Sequence, residues 1–480
     1  MASKIKVWKY GDKKAPPFPK DYDIVKRAVL QVTDIKDNHN KYYALELHQG
    51  KHKGKKTFRV FTHYGRTDDL DTNPDAGRKE CRFFGDLADA EGCYKMIYAE
   101  KTSSRKGYQE VHLASSKIGS DKARGTSSDE MDAKTLAKLK NGKGTKAPAA
   151  KTSKLDPGVQ ELVKYIYSEA TKALTSTVSA KITAQGIETP LGILTMGQIE
   201  KGEEILDEAY RLFKKKGASA KKQLTELSGE FYTAVPHRIG RSHKAVKIAV
   251  LDTMEEFREK QETLQLMKDM LSVNGEGGGV LYHAQVDEEY RALGCTIEHL
   301  PPKSDDHQEI KEHVEKSQVK TKNIKVKNVF LVRRPAEWSG FAKHINNQQL
   351  LFHGSGIHNW VGILSRGILL PKMVVRMGGG RTDEGWLGHG IYFGDAACTS
   401  AAYACPGKKG TCFLAVARVA LGKVKDFYEI TYGLAAPPKG YHSCHGVRAD
   451  EEVSSDFYDD EYVIYTTEQH RMEYLVEFTQ

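Results

Sequence analysis

The stretch Leu351-Phe352-His353-Gly354-Ser355 is the first of four short segments whose order along the chain indicates the fold of the last domain. The other three are Gly390-Ile391-Tyr392-Phe393, Ser400-Ala401-Ala402-Tyr403 and Glu461-Tyr462-Val463-Ile464-Tyr465. Each segment alone is a weak indication, since a strand tyrosine normally lies in a core and a glutamate that opens a strand is normally solvated. All four together, in this order and at these spacings, indicate one functional site.

The sequence around these segments predicts a mixed domain, rich in strands, over residues 279–480. Apolar residues indicate strands at 324–333, 349–353, 390–393, 411–419 and 461–465. Two shorter stretches, 310–314 and 361–366, have the spacing of helices. The residues of the four segments therefore lie on or beside predicted strands.

A helical region is predicted before this domain, over residues 155–278. It begins at Asp156-Pro157, where proline suits the first turn of a helix. Apolar residues then recur at helical spacing near 159–167, 199–212 and 251–271. We find no strand-like alternation between 155 and 271, and a glycine-rich run at 275–279 ends the region.

A small domain rich in strands is predicted at residues 21–114. Alternating apolar residues indicate three successive strands, with Gly50 and Gly54 in the turn between the second and third. Residues 1–20 are rich in Lys and Pro, which predicts a flexible basic arm. Residues 115–154 are rich in Ser, Lys and Gly and lack aromatic residues, which predicts a basic disordered linker. This linker could also bind phosphate groups or carry a targeting signal.

The charge and cysteine content restrict the class of protein. A net charge of +10 fits a polyanionic partner, although a merely solvated surface explains it equally well. The seven cysteines include no Cys-x-x-Cys pair, which argues against a zinc finger or a disulfide framework and favours a reducing compartment. We therefore expect no metal. The sequence has no signal-peptide core and no run long enough to span a bilayer, so we expect a soluble intracellular protein without a membrane partner.

The four segments resemble the catalytic domain of the poly(ADP-ribose) polymerase family, which carries a His-Tyr-Glu triad. Thr189-Pro190-Leu191-Gly192-Ile193-Leu194 and Phe231-Tyr232-Thr233-Ala234-Val235-Pro236-His237 are similar to its helical regulatory domain. Residues 28–113, with Tyr64-Gly65-Arg66 after a strand, are similar to its Trp-Gly-Arg (WGR) domain. The resemblance implies an α+β multidomain protein with a small β-rich WGR-like DNA-binding domain, an all-α regulatory domain and a mixed β-rich ADP-ribosyltransferase domain. The domain order matches the short, DNA-damage-responsive members.

This resemblance implies that His353, Tyr392 and Glu461 are catalytic residues that transfer ADP-ribose from NAD⁺ and release nicotinamide. His353 would bond a ribose hydroxyl of the adenosine half. Glu461 would accept a hydrogen bond from the nicotinamide ribose and activate the acceptor. Its charge would also stabilise the positive charge that develops on the ribose in the transition state. Tyr392 would form one wall of the nicotinamide pocket.

Other residues of the segments would bind NAD⁺. Gly354 would offer its backbone to the nicotinamide carboxamide, Ser400 would donate its hydroxyl to the same group, and Tyr403 would stack on the ring. Ser355 belongs to the same predicted set. Arg381 follows a glycine-rich run that would approach the diphosphate, and a plain surface loop is the alternative for these residues.

In the small domain, the resemblance implies that Tyr64, Arg66, Lys55 and Arg59 contact DNA at a strand break. Tyr64 stands where the family has tryptophan, and the alternative is a tyrosine that packs on its own domain. The implied partners are DNA strand breaks and acceptor proteins, including the chain itself and histone-like basic proteins. The implied location is nuclear, or cytoplasmic for a prokaryotic protein.

Two further features concern the product of the reaction. Thr399 stands where the family usually has lysine before the Ser-x-x-Tyr segment, which leaves the extension of chains open. Six carboxylates between residues 444 and 460 would border the acceptor site or form a solvated loop. We expect an NAD-dependent protein ADP-ribosyltransferase that makes polymer and is activated by DNA breaks. The alternatives are a mono-ADP-ribosyltransferase not controlled by DNA and a DNA-end-binding scaffold with weak activity.

Overall fold

The computed structural model describes residues 5–35, 39–126, 153–178, 180–183, 186–215, 218–237, 249–274, 285–319, 322–370 and 385–480. The chain divides into an N-terminal unit, Met1–Ala147 with Leu174–Gly279, and a C-terminal unit, Pro148–Ala173 with Val280–Gln480. Three predicted features lie outside the described residues. They are most of the linker, the glycine-rich run at 275–279, and Arg381 with the glycines before it.

The N-terminal unit contains a six-stranded sheet in the order β1-β5-β4-β3-β2-β6, with antiparallel neighbours. Its strands are β1 (Trp8–Lys9), β2 (Tyr22–Asp34), β3 (His39–His52), β4 (Lys55–Arg66), β5 (Arg78–Phe84) and β6 (Gln109–Glu110). Helix α1 (Leu87–Thr102) covers one face, where its Cys93 and Ile97 pack with Leu30, Leu45 and Val60. The predicted small domain rich in strands is therefore present. The predicted flexible arm before it is wrong for part of its length, because β1 pairs with β5 and Phe18 packs against Tyr22.

The turn between β3 and β4 consists of Lys53 and Gly54. Both residues have positive φ, 50° and 81°, and His52 pairs with Lys55 on either side of them. A two-residue loop of this kind fits the twist of a hairpin, and glycine adopts it without strain. The predicted turn at Gly54 is confirmed, whereas Gly50 lies within β3.

A second, four-stranded sheet was not expected in the helical region. It has the order β7-β10-β9-β8, with β7 (Leu113–Ser116), β8 (Lys181–Thr183), β9 (Gly186–Glu188) and β10 (Gly192–Leu194). The prediction of no strand between 155 and 271 is thus wrong for these residues. Three-residue strands are too short to show an alternation, and the partner strand β7 comes from another part of the sequence.

The rest of this region is helical, as predicted. The structure has α2 (Pro157–Thr177), α3 (Met196–Lys214), α4 (Ala218–Ala234) and α5 (Met254–Asn274). Thr195 caps α3 by accepting from the N–H of Gln198 at 3.2 Å, and Tyr210 packs edge-on against Phe257 of α5. Helix α4 contacts strand β2, where the N–H of Thr33 donates to Thr233 Oγ1 at 2.9 Å.

The C-terminal unit contains a nine-stranded sheet in the order β11-β12-β19-β15-β13-β14-β18-β17-β16. Its strands are β11 (Thr296–His299), β12 (Lys325–Arg333), β13 (Gln348–Gly354), β14 (Ile391–Gly394), β15 (Cys412–Ala420), β16 (Val424–Phe427), β17 (Ser443–Gly446), β18 (Glu461–Ile464) and β19 (His470–Thr479). Its helices are α6 (Gln285–Ala292), α7 (Asp305–Lys316), α8 (Pro335–Gly340), α9 (Trp360–Arg366) and α10 (Ala397–Ala401). All five predicted strands are present, and both predicted helices are confirmed within α7 and α9.

One core of the C-terminal unit lies where α7 and α10 cover the middle of the sheet. It contains Phe352 of β13, Val416 of β15 and Val476 of β19, together with Val314 of α7. Helix α2 contributes to the same unit, since its Glu169 and Tyr165 accept from the backbone N–H groups of Lys408 and Lys409, at 3.0 and 3.1 Å. The first predicted regulatory helix therefore packs on the last domain.

Among the described residues, no helix has the length and apolar character needed to cross a membrane. The same residues contain no cluster of His, Cys, Asp or Glu side chains that would hold a metal ion.

A buried carboxylate, Glu46 on β3, connects the first sheet to the residues after β7. Glu46 accepts from His48 Nε2 at 2.7 Å, from Ser120 N–H at 2.8 Å and from Ser120 Oγ at 2.5 Å. These bonds outweigh the effect of burial and lower the pKa of Glu46. The described fold therefore continues to Thr126, with Ile118 and Ala123 buried, beyond the predicted start of the linker at 115.

We predict that Glu46→Gln destabilises the N-terminal unit by about 3 kcal/mol, because an amide cannot accept all three bonds. Denaturant unfolding and proteolysis near residues 118–126 would measure the effect. Glu91→Gln is the control, since Glu91 is a partly exposed carboxylate that pairs with Lys26 at 2.9 Å. An equal loss of stability in both variants would contradict the anchoring role of Glu46.

Candidate active site

The centre of the candidate site is the contact between β13 and β14. His353 Nδ1 lies 2.9 Å from the carbonyl oxygen of Tyr392. A carbonyl only accepts, so Nδ1 carries the proton and Nε2 is left as an acceptor. Burial lowers the pKa of His353, although the bond to Tyr392 acts in the opposite direction. The imidazole is therefore neutral and fixed in one tautomer, ready to accept from a hydroxyl.

Gly354 and Ser400 are in direct contact. A Cβ on Gly354 would overlap the carbonyl oxygen of Ser400, so only glycine allows this approach. In the structure, Ser400 Oγ donates to the carbonyl of Phe352 at 2.8 Å. The bond from Ser400 to a carboxamide stays a prediction, and it requires the hydroxyl to rotate away from Phe352. Ser355 Oγ accepts from Asn359 Nδ2 at 3.1 Å.

Tyr392 is held by the loop before it. Its hydroxyl accepts from Leu387 N–H at 3.0 Å and donates to the carbonyl of Gly388 at 2.8 Å. Its ring packs with Val463 of β18 and with Leu387. With the hydroxyl engaged in this way, Tyr392 contributes a rigid ring, as a pocket wall requires.

Glu461 opens β18, where both cross-strand neighbours are glycines. It pairs with Gly394 of β14 on one side and with Gly446 of β17 on the other. Paired residues point to the same face of a sheet, so neither cross-strand partner places a side chain beside the carboxyl group. A Cβ on Gly394 would lie 3.3 Å from Ser400 Oγ, which places Ser400 over this face. Neither glycine was predicted from the sequence, although Gly394 directly follows the predicted strand at 390–393 and Gly446 is the last residue of β17.

The carboxyl group of Glu461 has no hydrogen-bond partner among the described side chains. Burial, with a further contribution from the charge of Asp459, raises its pKa to about 7. Burial raises the pKa of the Tyr403 phenol, and the charges of Glu461 and Asp459 raise it further. Tyr403 therefore lies near Glu461. With 67% of its surface exposed, Tyr403 is available for stacking. The structure therefore brings Glu461, Tyr403, Ser400 and Gly354 together, while Arg381 lies outside the described residues.

In the N-terminal unit, Tyr64 and Arg66 border a groove of about 760 Å³. The Tyr64 ring stacks on Tyr43, and its hydroxyl donates to Glu80 at 2.8 Å. Arg66 pairs with Asp68 at 3.1 Å. Five further cations line the groove: Lys41, Arg82, Lys101, Arg105 and Lys106. They were not predicted from the sequence, because they come from two separate strands, from the last turn of α1 and from the residues after it.

The other two predicted DNA-binding residues do not belong to this groove. Arg59 has only 6% of its surface exposed, and its guanidinium lies against the rings of Phe18 and Tyr22 and bonds His48 Nδ1 at 3.1 Å. The prediction of a DNA contact by Arg59 is corrected, because sequence alone did not reveal its burial. Lys55 is at the opposite end of β4 from Tyr64, about 30 Å away at the rise of an extended strand.

Three family descriptions match the chain in the order of its predicted domains. These are the WGR domain at 26–114, the poly(ADP-ribose) polymerase regulatory domain at 153–275 and the poly(ADP-ribose) polymerase catalytic domain at 304–480.

Curated relatives extend this similarity over most of the chain. The human protein mono-ADP-ribosyltransferase PARP4 is 30% identical over 97% of this chain and 24% of its own length. Human poly(ADP-ribose) polymerase 2 is 26% identical over 91% of this chain and 71% of its own length. Poly(ADP-ribose) polymerase 1 of Arabidopsis thaliana is 25% identical over 95% of this chain and 47% of its own length. The chain thus spans about a quarter of the length of the human and mouse PARP4 proteins.

We predict that Gly354→Ala weakens nicotinamide binding at least about tenfold, because the new methyl group would push Ser400 away from β13. Calorimetric titration with nicotinamide would measure it. Gly340→Ala is the matched control, since a Cβ at Gly340 meets no atom within 4 Å. Wild-type affinity in Gly354→Ala would contradict the proposed place of the ligand.

Proposed function

The chain belongs to the poly(ADP-ribose) polymerase family, and from this premise we propose that it is an NAD⁺-dependent protein ADP-ribosyltransferase activated by DNA strand breaks. The observation that carries the proposal is the uncompensated carboxyl group of Glu461 beside Gly394, on a sheet that also holds a neutral His353. The acceptors we propose are the chain itself and basic proteins near DNA. We also propose a nuclear location, or a cytoplasmic one in a prokaryote.

The donor side would bind NAD⁺ through fixed groups. His353 Nε2 accepts from a ribose hydroxyl, Gly354 offers its backbone to the carboxamide, and Ser400 rotates its hydroxyl to donate to the same carboxamide. The rings of Tyr392 and Tyr403 enclose the nicotinamide. Because the tautomer of His353 and the ring of Tyr392 are already fixed by hydrogen bonds, little ordering remains to be done when the substrate binds.

The transfer step breaks the bond between the ribose carbon and nicotinamide, and the electron pair leaves with nicotinamide. Positive charge develops on the ribose, and the Glu461 carboxylate stabilises it in a partly desolvated place. A nucleophilic oxygen of the acceptor then bonds the same carbon and gives its proton to Glu461. The reaction therefore needs Glu461 in its ionised form.

We predict that NAD⁺ turnover rises with pH through about 7, because the pKa of Glu461 is raised to about 7. Glu461→Gln should lower kcat at least about a hundredfold, with a much smaller effect on NAD⁺ binding. Turnover of labelled NAD⁺ between pH 5.5 and 9, with products separated by size on a gel, would measure both. Glu468→Gln is a control in the turn after β18. Long polymer made by Glu461→Gln would contradict this role.

Transfer of single units is a second candidate for the product. Thr399 stands where the family usually has lysine, and the human relative PARP4 is named a mono-ADP-ribosyltransferase. The same gel distinguishes the candidates, because single units give one discrete band and chains give a ladder.

Activation by DNA is supported by the groove beside Tyr64. The groove is lined by six Lys or Arg side chains and only three carboxylates, so its net charge is positive. Tyr43, Tyr64 and Tyr108 lie among these cations. Cations bind the phosphate backbone and aromatic rings stack on exposed bases, which together suit an open DNA end. The Tyr64 ring already stacks on Tyr43 of its own domain. DNA binding is therefore supported more by the cations than by this ring.

We predict that the double variant Arg105→Glu, Lys106→Glu weakens binding to nicked DNA at least about tenfold and lowers the salt dependence by about two counterions. Both residues are exposed, so the fold should be unaffected. Fluorescence anisotropy at several salt concentrations would measure it. The matched control is Lys55→Glu, Lys56→Glu at the far end of the same sheet. Equal losses in the two double variants would contradict the assignment of the groove.

A further inference from the structure

A histidine bridges two carboxylates on the face of the sheet opposite Glu461. His445 is in β17, where it pairs with Asp426 of β16 on one side and with Tyr462 of β18 on the other. Its Nδ1 lies 2.9 Å from Asp426 Oδ1, and its Nε2 lies 2.9 Å from Asp460 Oδ1. The side chain therefore joins β16 to the residue that immediately precedes β18.

This geometry requires an imidazolium. An ionised carboxylate only accepts hydrogen bonds, so both ring nitrogens of His445 must donate. Burial acts to lower the pKa of His445, but the bonds to Asp460 and Asp426 and their charges outweigh it and raise the pKa. A neutral imidazole would donate to one carboxylate and direct its lone pair at the other.

The groups around His445 act on this charge in different ways, because the ring of Tyr462 stabilises it whereas Arg448 is a second cation that shares Asp460. The ring of Tyr462 is parallel to the imidazole, with centroids 4.3 Å apart and planes within 2°. Arg448 holds the far oxygen of Asp460 at 2.6 Å through Nη2, and its backbone N–H bonds the near oxygen at 3.0 Å. Asp395, after β14, faces the same network, and burial followed by the charge of Asp460 raises its pKa.

The network holds both sequence neighbours of the candidate catalytic residue. Asp460 is fixed by His445 and Arg448, and Tyr462 is fixed by stacking on His445. Alternate residues of a strand point to opposite faces, so Glu461 between them points away from the network. Since the carboxyl group of Glu461 has no partner among the residues that the structure describes, its position depends on the two residues beside it.

We propose that His445, as an imidazolium that bridges Asp426 and Asp460, is a positioning residue that holds Glu461 for the transfer step. The role rests on the proposed function. Loss of the proton would break one of the two bonds and loosen the start of β18. Turnover should therefore fall at alkaline pH as His445 is deprotonated.

The test compares His445→Gln, which cannot carry the charge, with His445→Lys, which keeps it. Turnover of NAD⁺ by the full chain should fall about tenfold in H445Q, with KM for NAD⁺ unchanged, because a small displacement of a catalytic group is costly. H445K should recover most of the activity and move the alkaline fall to about pH 9 or above, since lysine stays charged there. The exposed His344 provides the matched control, H344Q, with a wild-type profile.

A second measurement does not depend on turnover. Nitrogen NMR of the wild-type imidazole, assigned by its absence in H445Q, should show both ring nitrogens protonated at pH 7. A single protonated nitrogen at this pH would overturn the proposal. So would an active enzyme in which H445Q keeps the wild-type kcat and alkaline profile. Absence of NAD⁺ consumption by the wild-type chain would instead contradict the proposed function, and with it this role.

Discussion

The antiparallel pairing of β14 with β18 is the constraint on which the candidate site depends. It sets Tyr392 opposite Val463 and Gly394 opposite Glu461. A shift of one residue would turn Glu461 to the other face and bring Tyr462 into the pocket. The register is fixed by burial, because Val463 is fully buried with Cys444 and Phe457. The apolar residues of β18 thus determine where its acidic first residue points.

Two carboxylates in the chain show how surroundings separate an anchoring role from the catalytic role that we propose for Glu461. Glu46 accepts three hydrogen bonds from His48 and Ser120, and its pKa is lowered in spite of burial. Glu461 has no such donors among the described residues, and burial raises its pKa to about 7. The first carboxylate is held as an anion that stabilises the fold. The second is able to change its protonation state near neutral pH, as a group that takes a proton from an acceptor must.

The sequence predicted the parts of the fold that depend on local pattern. The strands around His353, Tyr392 and Glu461 are long or apolar enough to be recognised, and the turn at Gly54 follows from its backbone freedom. What was missed depends on contacts between distant residues. The burial of Arg59 results from packing with the arm before β2, and β8 to β10 are strands because β7 pairs with β10. The bond of Ser400 to Phe352 likewise depends on where α10 meets β13.

We propose that function, and not stability, explains the place of Glu461. Its pKa in the folded chain, about 7, is above the ordinary value of 4.5. Between these pH values the folded chain binds a proton that the unfolded chain releases, so this group makes the fold less stable as pH rises. A residue chosen for stability alone would be apolar here, beside Gly394 and Gly446. The apolar core under β18 must offset this cost, because the proposed chemistry needs an anion in a partly desolvated place.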